Sequence, residues 1–187
     1  MIVAAAIWKR ETAAKFQNWI DGLDPVDLPH ARIMLRAEMV RDAMTDLVDA
    51  HALPDCVERT MLIDYVAALA AMFSGIMDSR YLRLRINVIE INACSKFHID
   101  TVTARLICTY RGRATQYGNG AMGEAPGEVY DLPTGSPMIL RGTSWGSTAE
   151  PGLLHRSPIE GTGETRLVLV LDPIADIEAD ESDRLVH

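Results

Sequence analysis

The chain has 187 residues, 48% of them hydrophobic and 24% charged, with a formal net charge of −8. This is the balance of a globular protein with one substantial core, which excludes a disordered chain and leaves no room for two large domains. The acidic excess sits at the two ends, whereas residues 81 to 172 carry 9 basic and 9 acidic side chains; no basic stripe offers itself to a phosphate backbone, so nucleic acid is not an expected partner.

The N-terminus, Met1-Ile2-Val3-Ala4-Ala5-Ala6-Ile7, has no basic segment before its apolar run, so no secretory signal is expected. A short helix is predicted over Trp8 to Leu23. Apolar Ile33, Met34, Met39, Val40, Met44, Leu47 and Val48 recur at helical spacings and predict an amphipathic helix from Ala31 to Leu53. A further helix is predicted from Pro54, suited to a first helical position, to Asp78. Its apolar run Tyr65 to Phe73 falls short of the roughly 20 residues that cross a bilayer, so a cytoplasmic protein without membrane contact is expected.

After Arg80 the period changes. Residues 81 to 91, YLRLRINVIEI, alternate as a half-buried strand does. Short strands are predicted at 104–110, 114–117, 128–130, 137–140, 152–154 and 165–171, separated by Gly and Pro turns, a pattern of sandwiches, jelly rolls and barrels. An acidic tail, 173–187, completes the chain. Cys56, Cys94 and Cys108 form no Cys-x-x-Cys pair, so neither a disulfide framework nor a zinc ribbon is expected.

Residues 94 to 100, CSKFHID, carry the first candidate chemistry. On a strand His98 and Asp100 share a face, and an i, i+2 pair can offer two metal donors from one rigid base. Taken alone this pair is equally an ordinary wet strand face. His155, at the end of a predicted apolar strand, supplies the second imidazole: only His98 and His155 of the five histidines lie in the β region. Two imidazoles and a carboxylate on one side of a metal form the facial set that leaves positions open on iron(II). An organic acid chelating such a metal needs a cation at its far carboxylate, and Arg166, opening the next strand, suits that role.

This set, with Gly135-Ser136-Pro137-Met138-Ile139-Leu140-Arg141-Gly142 ahead of the second His, resembles the double-stranded β-helix of the iron(II)/2-oxoglutarate-dependent dioxygenases over residues 83 to 172. More narrowly, CSKFHID, residues 105–112 (RLICTYRG) and 155–158 (HRSP) are similar to a bacterial family known as a domain of unknown function, number 1826, over most of the chain. The resemblance implies His98, Asp100 and His155 as metal ligands and Arg166 as the anchor of 2-oxoglutarate. It also implies a departure: Asn87-Val88-Ile89 keeps the Asn of an Asn-x-Tyr cosubstrate motif and lacks its Tyr. Asn87, Arg105 and Tyr110 are the remaining candidate cofactor contacts, and Cys94 is either a fourth donor or, turned by a bulge, a structural thiol.

The resulting expectation is an α+β protein, a helical N-terminal region (1–80) packed on a double-stranded β-helix, or jelly-roll, domain (81–172). Its function reads as an iron(II)/2-oxoglutarate-type oxygenase acting on a small molecule or peptide, with a homodimer allowed. The alternatives are a non-catalytic zinc protein of zinc homeostasis, and a metal-free interaction module.

Overall fold

The computed structural model describes residues 3–90, 95–146, 152–158 and 164–175. In chain order the elements are strand β1 (Ala5–Ile7), helix α1 (Ala14–Gly22), strand β2 (Ala31–Arg36), helices α2 (Val40–Ala50) and α3 (Val57–Met77), and strands β3 (Tyr81–Ile89) and β4 (Ala104–Arg111). Five strands follow: β5 (Gln116–Asn119), β6 (Tyr130–Asp131), β7 (Met138–Arg141), β8 (Leu153–Arg156) and β9 (Arg166–Ile174). They form two antiparallel sheets, a larger one ordered β1-β7-β4-β9-β3-β2 and a smaller one ordered β6-β5-β8.

The period-2 pattern of β3 is realised as expected, with Leu82, Leu84 and Ile86 buried on one face and Arg83 and Arg85 half-buried on the other. β9 runs beside it in continuous register from Tyr81↔Ile174 to Ile89↔Arg166. Leu167, Leu169 and Leu171 therefore join the first face, together with Ala104, Leu106, Cys108 and Tyr110 of β4. The helices cover this face: Phe16 and Ile20 of α1, Met44 and Val48 of α2, and Leu62, Val66, Leu69 and Phe73 of α3 all bury against it. A second, smaller cluster of Ile107, Ala114, Leu132, Met138, Leu140, Val168 and Val170 lies between the two sheets.

The expected helix over Ala31 to Leu53 is corrected. Residues 31–36 are an edge strand pairing with β3 from Ala31↔Ile86 to Arg36↔Tyr81, and α2 begins only at Val40. Alternation decides it, because Ile33 and Leu35 fall on one face and Arg32, Met34 and Arg36 on the other; Ile33 and Met34 also happen to continue the three- and four-residue spacing of α2. Together with β1, this means that residues 1–80 lend two strands to the large sheet and are not purely helical. Pro54 likewise precedes α3: the helix starts at Val57 and Cys56 caps it, its Sγ accepting from the Arg59 amide at 3.5 Å.

Among the described residues α3 is the one helix long and apolar enough to cross a membrane by length and composition. Here one side of it packs on the sheet through Leu62, Val66, Leu69 and Phe73.

Candidate metal centre

His98 and His155 come together because their backbones form an isolated antiparallel bridge, each amide donating to the other's carbonyl at 3.0 Å. The bridge attaches residues 95–100 to the edge of β8. The two rings lie 4.4 Å apart, centroid to centroid. Asp100 sits two residues past His98 and reaches both: its Oδ2 is 3.1 Å from His155 Nε2, and its Oδ1 is 3.6 Å from His98 Nε2. One donor atom from each of the three residues lies within 4.8 Å of the others.

The surroundings orient these donors. The Lys96 carbonyl lies 2.9 Å from His98 Nδ1. A carbonyl only accepts, so Nδ1 carries the proton and Nε2 keeps its lone pair toward Asp100. Arg105 of β4 donates to Asp100 Oδ1 at 2.5 Å, whereas Asp100 Oδ2 is buried and accepts no hydrogen bond. Arg156, next to His155, stacks its guanidinium 4.3 Å from the Phe97 ring centroid and donates from Nε to Gln116 Oε1, tying the two histidine-bearing segments together.

Gly142 fastens the loop that follows Asp100. Its amide donates to the Thr103 carbonyl and the Thr143 amide to the Asp100 carbonyl, both at 3.0 Å. A Cβ at Gly142 would meet the Val102 carbonyl oxygen, so only glycine lets the end of β7 come this close.

Burial alone would push the Asp100 carboxyl up, but contacts with His155 and His98 and the Arg105 charge hold it well below the usual carboxylate range. His98 is moved up from the ordinary imidazole value, first by its contact with Asp100 and against the effect of burial.

Arg105 also reaches in the opposite direction. Its Nε and Nη2 donate to the two oxygens of Asp172 at 2.7 and 3.0 Å, and Arg85 Nη2 donates to Asp172 Oδ2 at 2.7 Å. Arg83 stands 3.8 Å from the same oxygen. Asp172 is 2% exposed, so this carboxylate and the Asp100 carboxylate are joined through Arg105. Neither Asp172 nor the arginine pair of β3 was among the candidates read from the sequence. The signal was present in the Arg83-x-Arg85 alternation and in an Asp closing an otherwise apolar strand.

The other candidates separate. Arg166 is buried, at 2% exposed, and its Nε donates to the Arg113 carbonyl at 2.6 Å. It lies on the inner face of β9 with Val168 and Val170, six residues from Asp172, or about 20 Å along an extended strand. Asn87 lies on the inner face of β3, opposite Val168. Tyr110 is corrected: it faces the helices, edge-on to Phe16, because it shares the parity of Cys108 and Leu106 rather than that of Arg105. Cys94 lies outside the described residues. Arg111 donates to the Leu23 carbonyl at the end of α1, at 2.7 Å.

Two structures of related architecture place the fold. The dioxygenase for auxin oxidation 1 of Arabidopsis thaliana, solved with 2-oxoglutarate, aligns with a TM-score of 0.51 at 10% identity, over 80% of this chain and 64% of that one. The rice dioxygenase for auxin oxidation aligns with a TM-score of 0.54 at 11% identity, over 94% and 75%. The chain thus spans just under two thirds of the Arabidopsis structure, and the likeness at these identities is one of fold. No curated protein matches the sequence. The family described as "Protein of unknown function (DUF1826)" matches residues 2–172, and the chain belongs to that family.

Proposed function

We propose that this protein is a mononuclear metal-dependent oxygenase of the iron(II)/2-oxoglutarate type, with His98, Asp100 and His155 as the metal ligands. The observation that carries this reading is the free carboxylate edge. Asp100 gives Oδ1 to Arg105 and turns a buried Oδ2, without a hydrogen bond, toward His155 Nε2 at 3.1 Å. Donors about 2.1 Å from one ion and at right angles to each other stand about 3.0 Å apart, so this spacing suits one edge of an octahedral site.

Three donors on one side leave the opposite side for substrate and cosubstrate. With iron(II) bound, such a site would couple oxidation of 2-oxoglutarate to oxygenation of a substrate. The chain's own part is positional. The Lys96 carbonyl sets the His98 tautomer, Arg105 keeps Asp100 ionised and monodentate, and the His98–His155 bridge holds the imidazoles side by side. Arg166 is assigned the far carboxylate of 2-oxoglutarate, with Asn87 as a further contact on the same inner face; its burial favours a desolvated, strong ion pair.

The test is metal content by elemental analysis in the wild type and in His98→Ala and His155→Ala. One equivalent is expected in the wild type and a loss of at least 90% in both variants; content unchanged in either variant refutes the ligand assignment. Succinate formation from 2-oxoglutarate by the iron-loaded protein then reports the enzyme. Tightly held zinc with no turnover would instead favour a closed zinc site.

A further inference from the structure

Four arginines form a row on the inner face of the large sheet, and the one on β4, Arg105, contacts Asp100. Arg32 of β2 stands directly opposite Arg85 of β3, and Arg83 stands opposite Asp172 of β9. Arg105 completes the group from β4, on the far side of Asp172. Like charges directly opposite each other on paired strands are destabilising, yet here Arg32 and Arg85 are paired. Asp172 is the carboxylate that meets this row: it takes a two-pronged contact from Arg105 and a single one from Arg85.

Arg85 Nε is buried with no hydrogen-bond partner, and Arg32 is exposed and makes no ion pair among the described residues. Burial, followed by the charges of Arg105, Arg32 and Arg83, works to lower the Arg85 pKa, against the pull of Asp172. This row thus carries more cation than acid, within a chain whose net charge is −8. A cavity of about 950 Å³ opens at the same edge, lined by Arg32, alone of the row, and by Asn87, Asp24 and Glu90. Asp24 is already engaged there, its Oδ1 accepting from the Val26 amide.

We propose that Arg32 and Arg85 receive the acidic group of an anionic small-molecule substrate, at one end of an arginine row whose other end, Arg105, holds Asp100. A carboxylate or phosphate would supply the acceptors that Arg85 and Arg32 lack, and the planar arginine fork suits both groups. Arg105 links the two sites, with one nitrogen on Asp100 and two on Asp172, so the anion would be joined to Asp100 through Arg85, Asp172 and Arg105. This substrate class rests on the oxygenase reading; the anion site itself does not.

The probe is inorganic phosphate, titrated at constant ionic strength into the zinc-loaded chain of 187 residues and followed by calorimetry and by the arginine Nε–H signals in NMR. Saturable binding is expected in the wild type, weakened at least tenfold in Arg32→Gln and in Arg85→Gln, and unchanged in Arg41→Gln on α2. Arg32→Gln alters an exposed side chain outside the Asp172 ion pairs, so it tests the site even if Arg85→Gln fails to fold. Binding unchanged in Arg32→Gln overturns the proposal. So does a phosphate affinity that falls only in Arg166→Gln, or a parallel tenfold loss of 2-oxoglutarate affinity in Arg32→Gln, which would make the row part of the cosubstrate site. Metal content measured on the same samples separates a failure here from a failure of the ligand assignment.

Discussion

The two faces of the large sheet are built from the same strands and differ in almost every other respect. On the helix-facing side β3, β4 and β9 present Leu82, Leu84, Ile86, Leu106, Cys108, Tyr110, Leu167, Leu169 and Leu171, closed over by three helices. On the inner side the same strands present Arg83, Arg85, Arg105, Asp172 and Arg166 around a smaller apolar cluster. One face is organised by burial and the other by charge. A strand reading Leu-Arg-Leu-Arg can serve both because its side chains alternate, so the sheet anchors a polar site without that site having to supply the protein's stability.

The largest effect should come from the helix-facing side. Phe73→Ala removes a fully buried ring from α3 and should cost about 3–5 kcal/mol in urea denaturation of the metal-free protein, while the folded fraction still binds one metal. A cost below about 1 kcal/mol would mean that the helical layer is not the main source of stability.

The inner face should be the softer of the two. Asp172→Asn strips the arginines of a buried counter-charge, and because those arginines remain partly solvated the cost should be about 2–3 kcal/mol. The same denaturation assay checks it, and added phosphate should recover part of the loss. A stabilising effect would show that arginine repulsion does not govern this face.

The smallest effect separates the faces by pH. Burial, the leading cause, pushes the Cys108 thiol up from 9.0 to about 11, and burial also raises the Tyr110 hydroxyl well above its usual 10.0. Between about pH 9 and 11 the unfolded chain loses the Cys108 proton while the native protein keeps it, so stability falls as pH rises, by up to about 1.4 kcal/mol per unit. Cys108→Ala should flatten that alkaline slope in urea midpoints measured from pH 8 to 10.5. A slope identical to that of the wild type would count against a proton held on the buried thiol.

Much of the strand framework was legible because β3 and β9 carry long, regular patterns; the His98-x-Asp100 pair was legible as a spacing, although the strand expected around it is reduced among the described residues to a single bridge at His98. The edge strand β2 was not: Ile33 and Met34 fit the spacing of the helix that follows, and only pairing with β3 shows residues 31–36 to be extended. Tyr110 was placed on the wrong face because Arg105 and Tyr110 lie on opposite parities of β4. Gly142 was read only as part of a motif, because its role is to make room for the Val102 carbonyl, a contact with no local signature.

By itself the sequence determined which residues share a strand face, since a period of two is a property of the extended backbone. It also held the ingredients of the site: two histidines, an aspartate and several arginines in the β region. Which strand lies beside which was decided only in three dimensions. The bridge that joins His98 to His155 across 57 residues, the Arg105 link from Asp100 to Asp172, and the meeting of Arg32 with Arg85 all follow from strand order and register. Those depend on how the helix-facing leucines pack, and local periodicity carries no record of the partner strand.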